Sequence, residues 1–314
     1  MRCPARRCAA VVIQGLHKGG LRRKMAAQDW EVRRMTRDDI AGATALTRRV
    51  GWSNDADEWR RLLEWEPEGC YCVAGEVKGE PALIGTVTTT VYDDALAWVG
   101  MMLVDPQYRR QGIATALLST CLRALYARGI ARVMLDATDA GLPLYRAFGF
   151  RELYRVHMWR GRATEFFGPR ARRLRAADMG AVIAYDEQRF GAQRGRVLLR
   201  LQAEYPRWSW VDRDARGRVQ GYLLARSRGD EVIIGPWLHD SPWGAKVLLH
   251  TALGAVRGRM TQVHLPDRNL AATPLAGDYS LHHVGHTTRM IWREVDPLPD
   301  QPAAIFAIAS PATG

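Results

Sequence analysis

The stretch that most constrains the fold is a strand, a short basic loop and a helix in immediate succession. Ala95–Val104 is an apolar run of strand length, and the apolar residues of Ile113–Arg128 recur with a helical period. The loop between these elements contains Arg109, Arg110 and Gly112. A helix that begins just beyond the end of a buried strand is typical of an α/β fold.

The junction between this strand and this helix has the chemistry of an anion site. Small residues let the backbone N–H groups of Gln111–Thr115 approach an anion, and the helix dipole favours negative charge there. Arg109 and Arg110 add two cations. The loop has no Gly-Lys-Ser/Thr sequence, and Gly112 is its only glycine, which excludes the nucleotide-binding and dinucleotide-binding motifs. The residues therefore predict a site for a pyrophosphate group.

The same residues carry a resemblance to a known family. Arg109-x-x-Gly112-x-Ala114 after a strand is similar to the acetyl-CoA motif of the GCN5-related N-acetyltransferases, the GNAT family. Leu144-Tyr145-x-x-x-Gly149-Phe150 resembles the Leu-Tyr-x-x-x-Gly-Phe segment near the end of that fold. The resemblance is firm over residues 30–160. The whole chain resembles the two-domain subfamily, in which the second domain is altered.

The resemblance implies roles for individual residues. The backbone of Leu103 and Val104 would pair with the pantetheine arm of acetyl-CoA, which is the co-substrate. Tyr145 occupies the position of the family's general acid, where a phenol can protonate the departing thiolate; a tyrosine that only hydrogen-bonds the sulfur is the alternative. Asp139 is a weak candidate for a contact with the arm. The pyrophosphate would be held by the loop and the first helical turn, namely Arg109, Arg110, Gln111, Gly112, Ile113, Ala114 and Thr115.

Neither a general base nor a metal site is indicated. Acidic residues near the expected cleft could take a proton from the amine, and a water relay could do the same. His282, His283 and His286 lack the carboxylate or cysteine partners of a metal site, so no metal is expected. The acidic candidates are Asp93, Asp94, Glu64 and Glu66.

The chain is predicted to fold as two similar halves. The elements of the first half follow the order β-α-α-β-β-β-α-β-α-β, which is a mixed sheet of the α/β class with helices on both faces. Arg33-Arg34-Met35 is echoed by Arg172-Arg173-Leu174, which indicates two tandem GNAT-like acyl-CoA N-acyltransferase domains. We expect a catalytic domain over 30–162, a degenerate GNAT-like domain over 168–293 and a disordered tail over 294–314. Residues 1–29 are expected to be a disordered extension, or a mis-assigned one that results from a start codon placed too far upstream.

The second half lacks the phosphate-binding pattern. Bulky side chains at the corresponding positions would block the approach of an anion to the backbone, so we expect acetyl-CoA to bind the first half and not the second. This interpretation aligns Ile234-Gly235 with Val99-Gly100, and so places Gly244, Val247 and Leu249 at the positions of Arg109, Gly112 and Ala114.

Composition excludes several classes of protein. The net charge is +12, but residues 1–25 hold seven of the basic residues and no acid, so the remainder is only mildly basic. No face interleaves basic and aromatic residues as nucleic-acid binders do, and no apolar run approaches the ~20 residues of a membrane span. Cys70 and Cys72 alternate on one strand as buried free thiols, which favours a cytoplasmic protein. An organellar location is the alternative if residues 1–25 are a transit peptide.

These observations together predict an N-acetyltransferase. The enzyme would move the acetyl group of acetyl-CoA to a primary amine, of a small molecule, by direct attack in a ternary complex, and would be a monomer or homodimer. A protein lysine or N-terminal acetyltransferase and a non-catalytic acyl-CoA-binding protein are the alternatives.

Overall fold

The computed structural model describes residues 30–93, 96–130, 132–164, 168–292 and 300–314. The predictions for residues 1–29, Asp94 and residues 294–299 lie outside this part. The order predicted for the first half is confirmed. Its elements are β1 (Val32–Arg34), α1 (Ile40–Arg49), α2 (Ala56–Trp65), β2 (Tyr71–Val77), β3 (Glu80–Tyr92), β4 (Leu96–Val104), α3 (Ile113–Ala127), β5 (Arg132–Ala137), α4 (Leu142–Ala147) and β6 (Phe150–Arg162).

The second half repeats this order and adds one strand. Within the described part of the chain, none of the helices has the length and apolar character that a membrane span requires. The elements of the second half are β7 (Arg172–Arg173), α5 (Met179–Phe190), α6 (Gly195–Glu204), β8 (Ser209–Arg213), β9 (Val219–Arg228), β10 (Glu231–His239), α7 (Pro242–Ala255), β11 (Met260–Pro266), α8 (Ala272–Gly277), β12 (His282–Trp292) and β13 (Ile305–Ala307).

Local sequence signals set the helix boundaries. Asp39 accepts a hydrogen bond from Thr36 N at 2.8 Å, which forms a capping box at the entry to α1. Asp55 caps α2 by accepting from Glu58 N at 3.0 Å, and Pro67 follows directly after the end of that helix.

The two halves share one mixed sheet because each gives its last long strand to the other. The sheet order is β1-β2-β3-β4-β5-β12-β6-β11-β10-β9-β8-β7. Thus β12 lies between β5 and β6, and β6 lies between β12 and β11. Across the junction of β12 with β5, Arg289 pairs with Asp136 through two hydrogen bonds of 2.9 and 2.8 Å, and both side chains are buried.

The apolar core also joins the halves. Leu96 and Trp98 of β4 pack in one cluster with Val182 of α5, Leu198 of α6 and Ile291 of β12. The cysteines described in the structure are buried free thiols, as predicted for the first two: Cys70, Cys72 and Cys121.

The expectation of a disordered tail over 294–314 is wrong for residues 300–314. Phe306 of β13 is buried and its ring centroid lies 4.9 Å from that of Trp237. Strand β13 pairs with β10, and Ile308 N donates to His264 O of β11 at 3.0 Å. The prolines around this segment suggested disorder, but its apolar run from Ile305 to Ala309 is long enough to bury a strand.

Candidate functional site

The N-terminus of α3 presents unpaired backbone donors. Gly112 is the N-cap residue and has φ +88°, a conformation that favours glycine. The turn also places Arg110 at φ +66°. The first backbone hydrogen bond of the helix joins Ala116 N to Gly112 O at 3.0 Å. Among the described residues, no side chain caps this helix, so the preceding N–H groups are free to hold an anion.

A buried carboxylate fixes the start of this loop. Asp105 follows β4 directly, is 2% exposed and accepts from Gln107 N at 3.1 Å. Arg49 of α1 donates from Nε to Asp105 at 2.6 Å and from Nη2 to Leu83 O at 2.6 Å. Sequence reasoning missed this anchor, although an aspartate before a proline at a strand end is a common signal for a turn.

Strand β4 separates from its neighbour just before the loop. Its parallel pairing with β5 covers only Leu96–Val99, although β4 continues to Val104. A bulge lies at the point of separation, where Met101 has φ +47° and its carbonyl accepts from Thr86 Oγ1 at 2.9 Å. Between Gly100 and Val104 the edge of β4 that faces β5 therefore has no strand partner in the described part of the chain.

The cofactor residues predicted from sequence lie on the unpaired end of β4, in the loop that follows it and in the first turn of α3. Leu103 and Val104 are on the part of β4 that β5 does not pair, and Val104 O accepts from Arg109 Nε at 3.4 Å. Ile113 is buried and anchors the helix against β3, where a Cβ on Gly85 would lie 2.6 Å from its side chain. Exposed or half-exposed residues form the rest of the predicted set, namely Arg109, Arg110, Gln111, Gly112, Ala114 and Thr115.

Tyr145 lies on α4 and is 7% exposed. Its ring packs edge-to-face on Phe150, with centroids 5.8 Å apart. Burial, with a smaller contribution from Cys121 of α3, raises the pKa of the phenol well above its ordinary value. Its hydroxyl makes no hydrogen bond to another described residue, so the proton remains available to a ligand.

The acidic candidates for a general base are engaged elsewhere. Glu64 pairs with Arg200 at 2.8 Å, and Glu66 pairs with Arg128 at 2.8 Å. Asp93 accepts from the backbone of Gln193 at 2.9 Å. These three described carboxylates thus already have partners on other elements, and Asp94 lies outside the described residues.

Asp139, the predicted cofactor contact, lies just after β5, and the nearby histidines lie on β6 and β12. Asp139 is exposed and its carboxylate lies 3.7 Å from His286 Nε2. His157 Nδ1 lies 3.1 Å from His283 Nε2, within hydrogen-bonding distance. In the described part of the chain, no group of three or more His, Cys, Asp or Glu side chains is arranged to hold a metal ion.

The corresponding cleft of the second half is filled by the chain itself. Strand β10 pairs with β11 only over Glu231–Ile234, and β13 enters the gap that opens beyond this point. The carbonyl of Ile308 lies so close to Gly235 that a Cβ there would be 2.0 Å from it. A pantetheine arm has no room in this cleft.

The N-terminus of α7, the helix that follows this second cleft, is also closed to anions. The predicted alignment of this helix with the phosphate loop of the first half is wrong. The loop before α7 is only residues 240–241, compared with 105–112 before α3. Ser241 caps α7 by accepting from Gly244 N at 3.2 Å, and Pro242 has no N–H to offer. Gly244, Val247 and Leu249 lie within the helix, so the phosphate loop has been shortened rather than altered by bulky side chains.

Comparison with known proteins agrees with this geometry. The model of the acetyltransferase (GNAT) family matches residues 38–150, and that of an acetyltransferase (GNAT) domain matches residues 182–307. The chain belongs to the GNAT acetyltransferase family. This family uses acetyl-CoA as co-substrate, and the free donors of α3 and the unpaired edge of β4 fit its diphosphate and its arm.

Individual GNAT relatives match different shares of this chain. The uncharacterized N-acetyltransferase YitH of Bacillus subtilis strain 168 is 22% identical over 291 residues, which cover 90% of this chain and 98% of YitH. Glucosamine 6-phosphate N-acetyltransferase of Trypanosoma brucei brucei is 29% identical over 102 residues, 32% of this chain and 69% of that enzyme. A solved Pyrococcus horikoshii protein assigned to the acetyltransferases has a TM-score of 0.75 at 22% identity, over 94% of this chain and 100% of its own, and shares the fold.

Proposed function

We propose that this GNAT protein transfers the acetyl group of acetyl-CoA to the primary amine of a small molecule, by direct attack in a ternary complex. The unpaired edge of β4 between Gly100 and Val104 is the observation that carries the proposal. A diphosphate held at the start of α3 directs the arm along this edge toward Gly100 and Met101, where β5 closes the gap. The thioester then lies at Gly100 and Met101, the closed end of the separation, which we call the apex.

The proposed reaction gives distinct tasks to the bulge and to Tyr145. The bulge at Met101 turns backbone groups of β4 toward the thioester, and a backbone N–H there stabilises the developing oxyanion by about 3 kcal/mol. Tyr145 gives its proton to the thiolate as the carbon–sulfur bond breaks, and the proton that the nitrogen releases on becoming an amide restores the phenol. The amine arrives as a nucleophile that has lost its proton to water, because the described carboxylates considered for this task are paired elsewhere.

The walls around the apex favour a small acceptor. Ala312 lies against Gly100, where a Cβ would be 2.7 Å from it. Helix α2, helix α6 and the C-terminal residues surround a cavity of about 20 Å³ beside this contact. A small amine fits between such walls better than a folded protein does. The trypanosomal relative, by its name, acetylates a small phosphorylated amino sugar.

The test is release of free thiol from acetyl-CoA in the presence of a panel of primary amines, with mass spectrometry of the acetylated product. We expect turnover with a subset of small amines and none with denatured protein. Turnover only with peptides would favour the protein acetyltransferase. Tight acetyl-CoA binding without turnover on either panel would indicate the non-catalytic binder.

A further inference from the structure

The cavity beside the apex contains a buried cation that is only partly satisfied. Arg61 of α2 is 2% exposed and donates from Nη1 to Glu204 of α6 at 2.8 Å. Its Nη2 has no hydrogen-bond partner among the described residues. A buried guanidinium nitrogen without a protein partner is costly, so in a cavity wall this nitrogen is available to donate to a bound group.

The other charges of the cavity are held in fixed arrangements. Glu58 accepts from Asn54 at 2.7 Å and from Arg226 Nη2 at 3.2 Å. The second terminal nitrogen of Arg226 donates to Ala309 O at 2.9 Å. Glu58 and Arg226 therefore pair with each other, whereas Arg61 Nη2 is a buried nitrogen of this wall that has no partner among the described residues.

The C-terminal residues form the opposite wall and are held through their backbone. Trp98 Nε1 donates to Pro311 O at 3.0 Å, Tyr92 donates to Thr313 O at 2.6 Å, and Arg194 donates to Gly314 O at 3.1 Å. Ala312 of this wall packs in one cluster with Leu62 and with Met101 of the bulge. The cavity and the apex of the β4–β5 separation therefore share a wall.

We propose that the acceptor amine carries an anionic group, a carboxylate or phosphate, and that Arg61 binds this group in the cavity beneath the C-terminal residues. This rests on the proposed function. The cavity has room for about one water-sized atom and is partly open, so we place one oxygen of the group in it and the amine on the other side of Ala312, at the apex. The guanidinium fork suits an anionic oxygen, and the bond is charge-assisted.

The experiment compares amines that differ only in the anionic group. The ω-amino acids from glycine to ε-aminocaproate are paired with n-alkylamines of equal length, and phosphoethanolamine with propylamine, at saturating acetyl-CoA. We expect kcat/KM to favour an anionic member by about 10- to 100-fold, the worth of one charge-assisted hydrogen bond. The carboxylate and phosphate arms show which anion is preferred.

Variants at adjacent positions of α2 assign the effect. Arg61→Gln should remove the preference while leaving the dissociation constant of acetyl-CoA within about twofold. Arg60→Gln changes the neighbouring exposed arginine and should keep the preference. If Arg61→Gln does not fold, Arg61→Lys keeps the charge beside Glu204 and should lose most of the preference, because the fork is gone.

Calorimetry separates failure of the site from failure of the proposed function. The same probes are titrated into the full chain saturated with CoA, which occupies the α3 donors. If an anionic probe binds the wild type but not Arg61→Gln, and is not acetylated, the anion site is supported and the proposed transferase activity is refuted. The anion site is overturned if neutral and anionic members bind and react equally, if no anionic probe binds, or if Arg61→Gln keeps the preference.

Discussion

The left-handed turn at Gly112 gives the sharpest test of the α3 anion site. Its φ is +88°, and a Cβ there would meet no atom within 4 Å. Gly112→Val therefore causes no clash, but a branched side chain disfavours this φ by at least ~1–2 kcal/mol. The turn must shift to relieve this, and the N–H groups at the start of α3 then no longer converge. Loss of two charge-assisted bonds at ~1.5–3 kcal/mol each weakens acetyl-CoA binding by ~100-fold or more.

The other end of the same helix supplies a matched control. Gly129 has φ +81° and likewise no atom within 4 Å of a Cβ. Gly129→Val should lower the free energy of unfolding by a similar amount and leave acetyl-CoA binding unchanged. Calorimetric titration and urea unfolding of both variants measure the two quantities. Near-normal acetyl-CoA affinity in folded Gly112→Val, or equal losses of affinity in both variants, would refute the assignment.

Three further variants test the acid, the filled cleft and the exchanged strands. Tyr145→Phe should lower kcat by ~10²-fold with little change in the KM for acetyl-CoA, and an unchanged kcat would argue against the acid role. Because burial raises the phenol pKa, the wild type should show no alkaline loss of rate from Tyr145 below about pH 10. Gly235→Ala should lower the melting temperature but not acetyl-CoA affinity, since its Cβ would lie 2.0 Å from Ile308 O; an unchanged melting temperature would contradict the filled cleft. Asp136→Asn leaves Arg289 buried without its counter-charge and should cost about 3–5 kcal/mol in urea unfolding, whereas a loss below ~1 kcal/mol would show that this pair does not hold the exchange.

Local features of the site could be predicted from the sequence because they are encoded within short segments. The loop from Arg109 to Gly112 and the apolar period of α3 together specify a helix N-terminus after a strand. The bounds of α2 follow from Asp55 and Pro67, which flank the two ends of the helix in the sequence. Such signals need no knowledge of the rest of the chain.

The features that were missed depend on contacts between distant segments. Strand β12 leaves its own half to pair with β5, and no turn or period in the sequence encodes that choice. The apolar run of β13 was hidden among prolines, and its place between β10 and β11 is specified by a gap that only the folded sheet reveals. The cavity around Arg61 also joins four parts of the chain, so Arg61 appeared in the sequence as an ordinary helix charge.

The sheet also explains why the second half matters to a site that lies in the first. Thr288–Ile291 of β12 cover the edge of β5 from Met134 to Ala137, and the residues from Ala309 to Thr313 wall the cavity beside the apex. A fragment ending at residue 162 would expose that edge as an unpaired template for other chains, so we expect it to aggregate before acetyl-CoA binding can be measured. The expectation that the first half alone binds acetyl-CoA is therefore best examined in the intact chain. There Gly112→Val should abolish binding and Gly244→Ala, in the helix of the second half, should not.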